Sequence, residues 1–293
     1  MQTFGKGKIK RVDPAFWFYV LATVLALACA GGLLFFLVME SFPIFYAYGA
    51  GFLSGSDWWP GEVYGILPMI FGSLMVTVLA LFVALPVALA GAIYISEFLS
   101  PHFRLLAKSA MELLAGVPGI IYGLMGVTVL TVWVRDVFGL IDGNSILAAG
   151  LLLGIMILPV VMTLSEDALH AVPAEYRDAA LSLGLTKLET VLSVSLPQAR
   201  MGIAGAIFLG LGRAMGETIA VMLVIGGLDR IPVPWYDLFA PGQSISSKLG
   251  REAAEAIGSG LQWNALMGMG LALFVIVMTI TLMGNMLVRR MKV

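Results

Sequence analysis

The chain has 293 residues, of which 60% are hydrophobic and 12% charged, with a formal net charge of -1. That balance excludes a water-soluble globule, which would need far more charge to cover its surface, and gives no reason to expect a nucleic-acid partner. The single cysteine, Cys29, excludes a disulfide framework and a cysteine metal site, while His102 and His170 lie in separate polar loops, where isolated histidines are ordinarily solvated.

A mean hydropathy of +0.97 points to an integral membrane protein. Six stretches meet the requirement of about 20 mainly apolar residues for a bilayer-crossing helix: Ala15 to Met39, Ile66 to Ile95, Ser109 to Val134, Ile146 to Ser165, Ile203 to Gly227 and Trp263 to Val288. The fold class is therefore all-α and polytopic. Before the first span, Lys6, Lys8, Lys10 and Arg11 could open a signal peptide, and Ala26-Leu27-Ala28-Cys29 is similar to a lipoprotein cleavage site. The apolar run continues to Met39, however, so an uncleaved span is expected. Pro86 interrupts the second span and Gly116-Val117-Pro118-Gly119 the third, predicting kinks or non-helical turns. Freed backbone groups are tolerated in a bilayer only where protein or a water-filled path covers them, so these breaks are expected to line an interior. The chain divides into residues 1–65, carrying the tail, first span and an outer loop, and a five-helix core at 66–293.

Basic residues set the orientation. With the amino terminus cytoplasmic, the inner side collects Lys6, Lys8, Lys10, Arg11, Arg104, Lys108, Arg177, Lys187, Arg200, Arg289, Arg290 and Lys292. The outer side holds Arg135, Arg230, Lys248 and Arg251, and Arg213 within the membrane completes the 17. Both termini are thus expected inside. The outer loops carry Trp58-Trp59-Pro60 and Trp235-Tyr236, suited to anchoring at the interface.

The longest inner loop, about 166–202, has Ala179, Leu183, Leu188, Val191, Leu192 and Leu196 at spacings that favour short amphipathic helices along the membrane face. Pro173 opens the first, Gly184 provides the turn, and Pro197 is expected to end the second. Periodicity alone leaves open whether a partner grips this knob. Its spacing reads Asp178-Ala179-Ala180, three residues, Gly184, nine residues, Val194-Ser195-Leu196-Pro197. This resembles the Glu-Ala-Ala loop of bacterial ABC importer permeases, with Asp178 in place of the glutamate and Val194 in place of isoleucine. The resemblance implies that Asp178, Ala179, Ala180, Gly184, Leu196 and Pro197 belong to a coupling helix docking on a separate ATPase. The chain has no Gly-x-x-x-x-Gly-Lys-Ser/Thr phosphate loop of its own, so ATP and Mg are expected on that partner, with no cofactor here and no enzymatic activity.

The fifth span carries Arg213 and Glu217, four residues apart and expected on one helical face, where they could pair. A charge at the bilayer centre costs about 2.5–3.5 kcal/mol on insertion scales, so something must offset two. One reading is an internal salt bridge, with Gly212 and Gly216 allowing close helix approach. The other is a transport path, in which the planar guanidinium holds an oxyanion and Glu217 exchanges with it as a partner, with Thr218 adding a hydroxyl. No nucleophile with a base and no paired carboxylates appear for a membrane-embedded enzyme. A passive anion channel could use the arginine but would have no need of a coupling loop.

The segments Gly212-Arg213-Ala214-Met215-Gly216-Glu217-Thr218, Gly116-Val117-Pro118-Gly119-Ile120-Ile121-Tyr122-Gly123 and Ser165-Glu166-Asp167-Ala168-Leu169, with Trp58-Trp59-Pro60 and Ile70-Phe71-Gly72-Ser73-Leu74, resemble the phosphate-specific ABC importer permeases of the PstC type. The resemblance implies a type I importer permease fold and a partnership with a PstA-type permease, two ATP-binding subunits and an external phosphate-binding protein. It implies a phosphate path through Arg213, Glu217, Thr218, Gly116, Pro118, Gly119 and Tyr122, with Gly119 standing where many relatives have serine. Glu112 is expected to be an interfacial carboxylate. A permease for sulfate or molybdate, or the PstA-type partner, stays open, because the loop reports the motor and not the cargo.

Overall fold

The computed structural model describes residues 14–290. Lys6, Lys8, Lys10, Arg11 and Lys292 lie outside the described residues, as do the side chains of Arg289 and Arg290. Among the described residues, six helical stretches are long and apolar enough to cross a membrane: Phe16–Tyr48, Leu67–Phe98, Gly119–Phe138, Ile146–His170, Lys187–Gly216 and Leu261–Gly284. The expected number holds; the first span runs on to Tyr48, past the expected Met39, and the bounds of the third and fifth differ for physical reasons given below.

Helix α1 (Pro14–Tyr48) leads through a short α2 (Gly51–Ser54) into an antiparallel hairpin, β1 (Trp58–Trp59) against β2 (Val63–Tyr64). This hairpin and an isolated parallel bridge between Gly226 and Gly242 are the β pairings among the described residues. Helix α3 (Leu67–Ile93) runs through Pro86 without interruption and then widens into a π turn, Tyr94–Phe98. Of the kink or non-helical turn expected at Pro86, the non-helical turn is not formed: proline removes one intrahelical bond, and a 27-residue helix packed along its neighbour bears that loss.

Helix α4 (Pro101–Ala115) buries none of its residues fully, and Gly116-Val117-Pro118 separates it from α5 (Gly119–Met125). Proline disfavours helical backbone at the residue before it, which stops the helix here. Residues 109–115 therefore belong to an amphipathic helix outside the third span. That span consists of α5, a π turn (Gly126–Leu130) and α6 (Thr131–Phe138).

Helix α7 (Ile146–His170) is the central post, with 67% of its most apolar window buried against 0% for α1 at the periphery. Ala80 and Ala84 of α3 meet Ala149, Leu153 and Ile157 of α7 in the main apolar cluster. Small side chains let the backbones approach, as at Gly154, where an added Cβ would lie 3.2 Å from Ala80 O. Packing of this kind must hold helices together in a medium as apolar as their own side chains.

Helix α8 (Ala174–Ser182) turns through Gly184, at φ +87°, into α9 (Lys187–Thr190), which opens on a Thr186–Glu189 capping box. The chain then stays helical through a π turn (Val191–Ser195) and α10 (Leu196–Gly216). Pro197 therefore ends no helix; it sits in the first turn of α10, where its missing N–H follows directly on the π turn. The fifth span accordingly begins near Lys187 and stops at Gly216, short of the expected Gly227. Helices α11 (Ile219–Val224) and α12 (Ile245–Glu252) precede the last, α13 (Leu261–Arg290).

Candidate functional site

Two helix breaks face each other. Helix α10 ends at Gly216, Glu217 is extended (φ -70°, ψ 120°), and α11 starts after Thr218. A glycine at the end of the helix weakens its last turn, and neighbouring groups take up the freed backbone. Ser246 Oγ of α12 donates to Glu217 O at 2.8 Å, and Thr218 Oγ1 donates to Gly216 O at 3.3 Å. Across from it lies the Gly116-Val117-Pro118 break. There Tyr122 Oη donates to Leu114 O at 3.0 Å and Arg213 Nη2 donates to Ala115 O at 3.1 Å. Arg213 thus places a cation at the carboxyl end of α4, where the helix dipole favours one.

This geometry corrects the expected Arg213–Glu217 pairing. Because the helix ends between them, the two do not share a helical face, and no ion pair joins them among the described residues. The carboxylate reaches Gly119 instead: a Cβ there would lie 2.5 Å from Glu217 Oε1. Glycine is what lets the acid approach the start of α5. Gly123 serves the same pair of elements, since its Cβ would lie 3.0 Å from Ala220 Cα. Arg213 is exposed and lines an open groove of about 470 Å³ with Gly205, Phe208, Leu209, Gly212 and Thr281. Arg213, Glu217, Thr218, Gly116, Pro118, Gly119 and Tyr122 thus gather around the two breaks, offering a cation, a carboxylate and two hydroxyls at one level of the protein.

The residues of the Asp178–Pro197 motif lie elsewhere, at the end of the molecule carrying α8. Asp178, Ala179, Gly184 and Pro197 are exposed, Leu196 is half-buried and Ala180 is buried. Exposed Leu181, Leu183 and Leu188 give the knob an apolar outer face. Close by, Glu166, 1% exposed, pairs with Arg104 and, at 3.3 Å, with Lys108. His170 Nδ1 lies 2.5 Å from Arg104 Nη1, so this histidine is part of an interhelical cluster and is not simply solvated. Lys108 also pairs with Asp167, and that hydrogen bond holds the ammonium above its usual pKa.

At the opposite end, Lys248 of α12 is 3% exposed. It pairs with Asp229 and, at 2.5 Å, with Glu252, and stands 5.0 Å from the ring centroid of Trp58 in the hairpin. Trp58 Nε1 in turn donates to Glu252 Oε2 at 3.2 Å. Burial pushes the Asp229 carboxyl up, against the opposing pull of Lys248. In the sequence, Lys248, Arg104 and Lys108 mark only the sides of the membrane. The Lys248–Glu252 pair follows the i,i+4 spacing of a helix and was open to a reading of the sequence; Asp229, and the Glu166 that holds Arg104 and Lys108, lie too far along the chain for any spacing rule to bring them in.

A chain of a bacterial alginate ABC transporter, solved in complex with an alginate pentasaccharide-bound periplasmic protein, superposes with a TM-score of 0.57 over 93% of this chain and 94% of that one, at 17% identity. This shows the shared fold. Residues 84–293 match the family described as the binding-protein-dependent transport system inner membrane component, and the chain belongs to that family. It is 37% identical over 276 residues to the phosphate transport system permease protein PstC of Pasteurella multocida, covering 87% of this chain and 85% of that one. It is 33% identical over 292 residues to the corresponding protein of Haemophilus influenzae, covering 93% and 91%. The protein is a multi-pass inner-membrane permease subunit of the ABC type.

Proposed function

We propose that this permease passes inorganic phosphate into the cytoplasm as one subunit of an ATP-driven importer. The observation that carries the reading is the meeting of the two helix breaks, with Arg213 at one and Glu217 at the other, in a chain whose relatives over nearly its whole length are phosphate permeases. A guanidinium stays charged at any working pH and can offer paired N–H groups to an oxyanion. Arg213 already spends one on Ala115 O, a neutral acceptor that an incoming anion can outcompete. Glu217, held at Gly119 and away from the arginine, leaves the cation available on entry and repels the anion afterwards, so that binding is transient. Interrupted helices of this kind often bound solute sites in transporters, because their exposed backbone needs a polar lining.

In this reading both termini are cytoplasmic, by the distribution of basic residues over the full sequence. Helix α8 and the turn at Gly184 dock on the motor, which is two ATP-binding subunits carrying ATP and Mg. A PstA-type permease completes the membrane core, and an external phosphate-binding protein delivers the solute at the hairpin end. The absence of a phosphate loop in the sequence supports a separate motor.

The test is phosphate uptake by proteoliposomes carrying the full complex, wild type against Arg213→Gln, with ATPase rate and assembly measured in parallel. Uptake should collapse while assembly and ATPase persist. Loss of assembly instead would make Arg213 a structural cap of α4 and remove it from the path.

A further inference from the structure

Arg177 stands out among the charged residues that the transport path does not use. It lies on α8, next to Asp178, and unlike that residue it faces the membrane core. Its Nε and Nη2 donate to Glu97 Oε1 at 3.2 and 3.0 Å. Nη1 donates to Val172 O at 2.8 Å and Nη2 to Leu169 O at 2.7 Å. Glu97, 7% exposed, sits in the π turn that closes α3; Leu169 O lies in the last turn of α7, where it also accepts from Val172 N at 3.2 Å, and Val172 O lies just past that helix. One side chain therefore fastens α8 to two spans at once. Charge-assisted bonds to a planar fork fix direction as well as distance. Apart from them, α8 is tied to α7 by the short segment through Pro173, and to the stretch leading into α10 by the glycine turn at Gly184 and by the packing of α8, where Ala180 is buried, on the π turn Val191–Ser195.

The connection continues. Helix α7 carries Glu166 to Arg104 and Lys108 of α4, and α4 ends at Ala115, whose carbonyl holds Arg213. We infer that Arg177, with Glu97 as its anchor, is the positioning residue through which displacement of α8 moves α3 and α7, and through them the facing helix breaks. It touches no solute. The inference rests on the reading of α8 as the surface gripped by the motor.

The experiment reads phosphate transported per ATP hydrolysed in proteoliposomes of the full complex, for Arg177→Gln, Arg177→Lys, Glu97→Gln and the Arg177→Gln/Glu97→Gln double variant. Loss of a coupling contact is worth about 5-fold or more, so the ratio should fall by about that much in Arg177→Gln and Glu97→Gln while ATPase continues. Lysine keeps the charge without the fork and should fall less. The double variant should be no worse than the singles, since both break one clamp. A ratio within about twofold of wild type in assembled Arg177→Gln and Glu97→Gln complexes overturns the inference; should Arg177→Gln fail to assemble, the nearly isosteric Glu97→Gln decides alone. Leu183→Glu tests the underlying reading separately. Leu183 is 82% exposed on the outer face of the knob. If motor subunits still co-purify and the ratio is unchanged with Leu183→Glu, α8 is not the docking surface, whatever Arg177 does.

Discussion

Replacing Lys248 by methionine tests whether the hairpin end is held by a buried charge cluster. Methionine keeps the length of the stem and removes the ammonium. Truncating one partner of a buried ion pair costs about 3–5 kcal/mol, because the remaining charge stays uncompensated. Here the abandoned carboxylates are 25% exposed at Asp229 and 23% at Glu252, so water can partly take the ammonium's place. Discounting for that screening leaves about 2–3 kcal/mol. At roughly 2–4 °C per kcal/mol for a protein of this size, Tm should fall by about 4–12 °C in nanodiscs. Asp229→Asn should cost less, about 1 kcal/mol, since Lys248 keeps Glu252 and the raised carboxyl of Asp229 already resists ionising. The sign of that raised value sets a second reading. The fold favours the protonated acid, so the stability contributed by this group is present below the ordinary carboxylate pKa and is lost as pH rises through the folded value. The Tm advantage of wild type over Asp229→Asn should therefore grow as pH falls through the carboxylate range. An unchanged Tm for Lys248→Met, or a loss no greater than that of Asp229→Asn, would refute the view that this lysine clamps α12 to the hairpin.

Gly119→Ala should leave the fold intact while reducing phosphate uptake. The new methyl would meet only the tip of the Glu217 side chain, 2.5 Å away, which can swing aside at small cost in stability but loses its place beside α5; unchanged uptake would show that this approach is not used. Gly72→Ala should be far more damaging to Tm than Gly31→Ala. The methyl at Gly72 would run into the backbone carbonyl of Gln243, with no flexible atom to yield, whereas Gly31 has nothing within 4 Å. An overpacked contact of this kind costs about 1–3 kcal/mol, so equal melting of the two variants would contradict the close approach of α3 to the residues before α12.

The sequence alone determined the solvent, the number of spans and the existence of the α8–α9 knob. Each follows from properties local in the chain: apolar runs long enough for a bilayer, amphipathic spacing, and the glycine that turns at positive φ in Gly184. The break at Gly116-Val117-Pro118 was legible for the same reason, because proline acts on its immediate neighbours. The break at Glu217 was not. Residues 203–227 read as one apolar run, and Arg213 and Glu217 looked paired only on the assumption of a continuous helix. Tertiary contacts decided otherwise: Ser246 takes up the Glu217 carbonyl, Ala115 O takes the guanidinium, and Gly119 leaves room for the carboxylate. Conversely, the non-helical turn that Pro86 allowed does not form, because α7 supports α3 along its length. The clamps formed by Arg177 and Glu166 were likewise invisible, since their partners lie tens of residues away, and of the Lys248 clamp only the i,i+4 partner Glu252 was legible, Asp229 being brought in by the fold. Local propensity sets which segments become helices; whether an interruption opens, and which charge meets which, depends on the groups that another part of the chain brings to it.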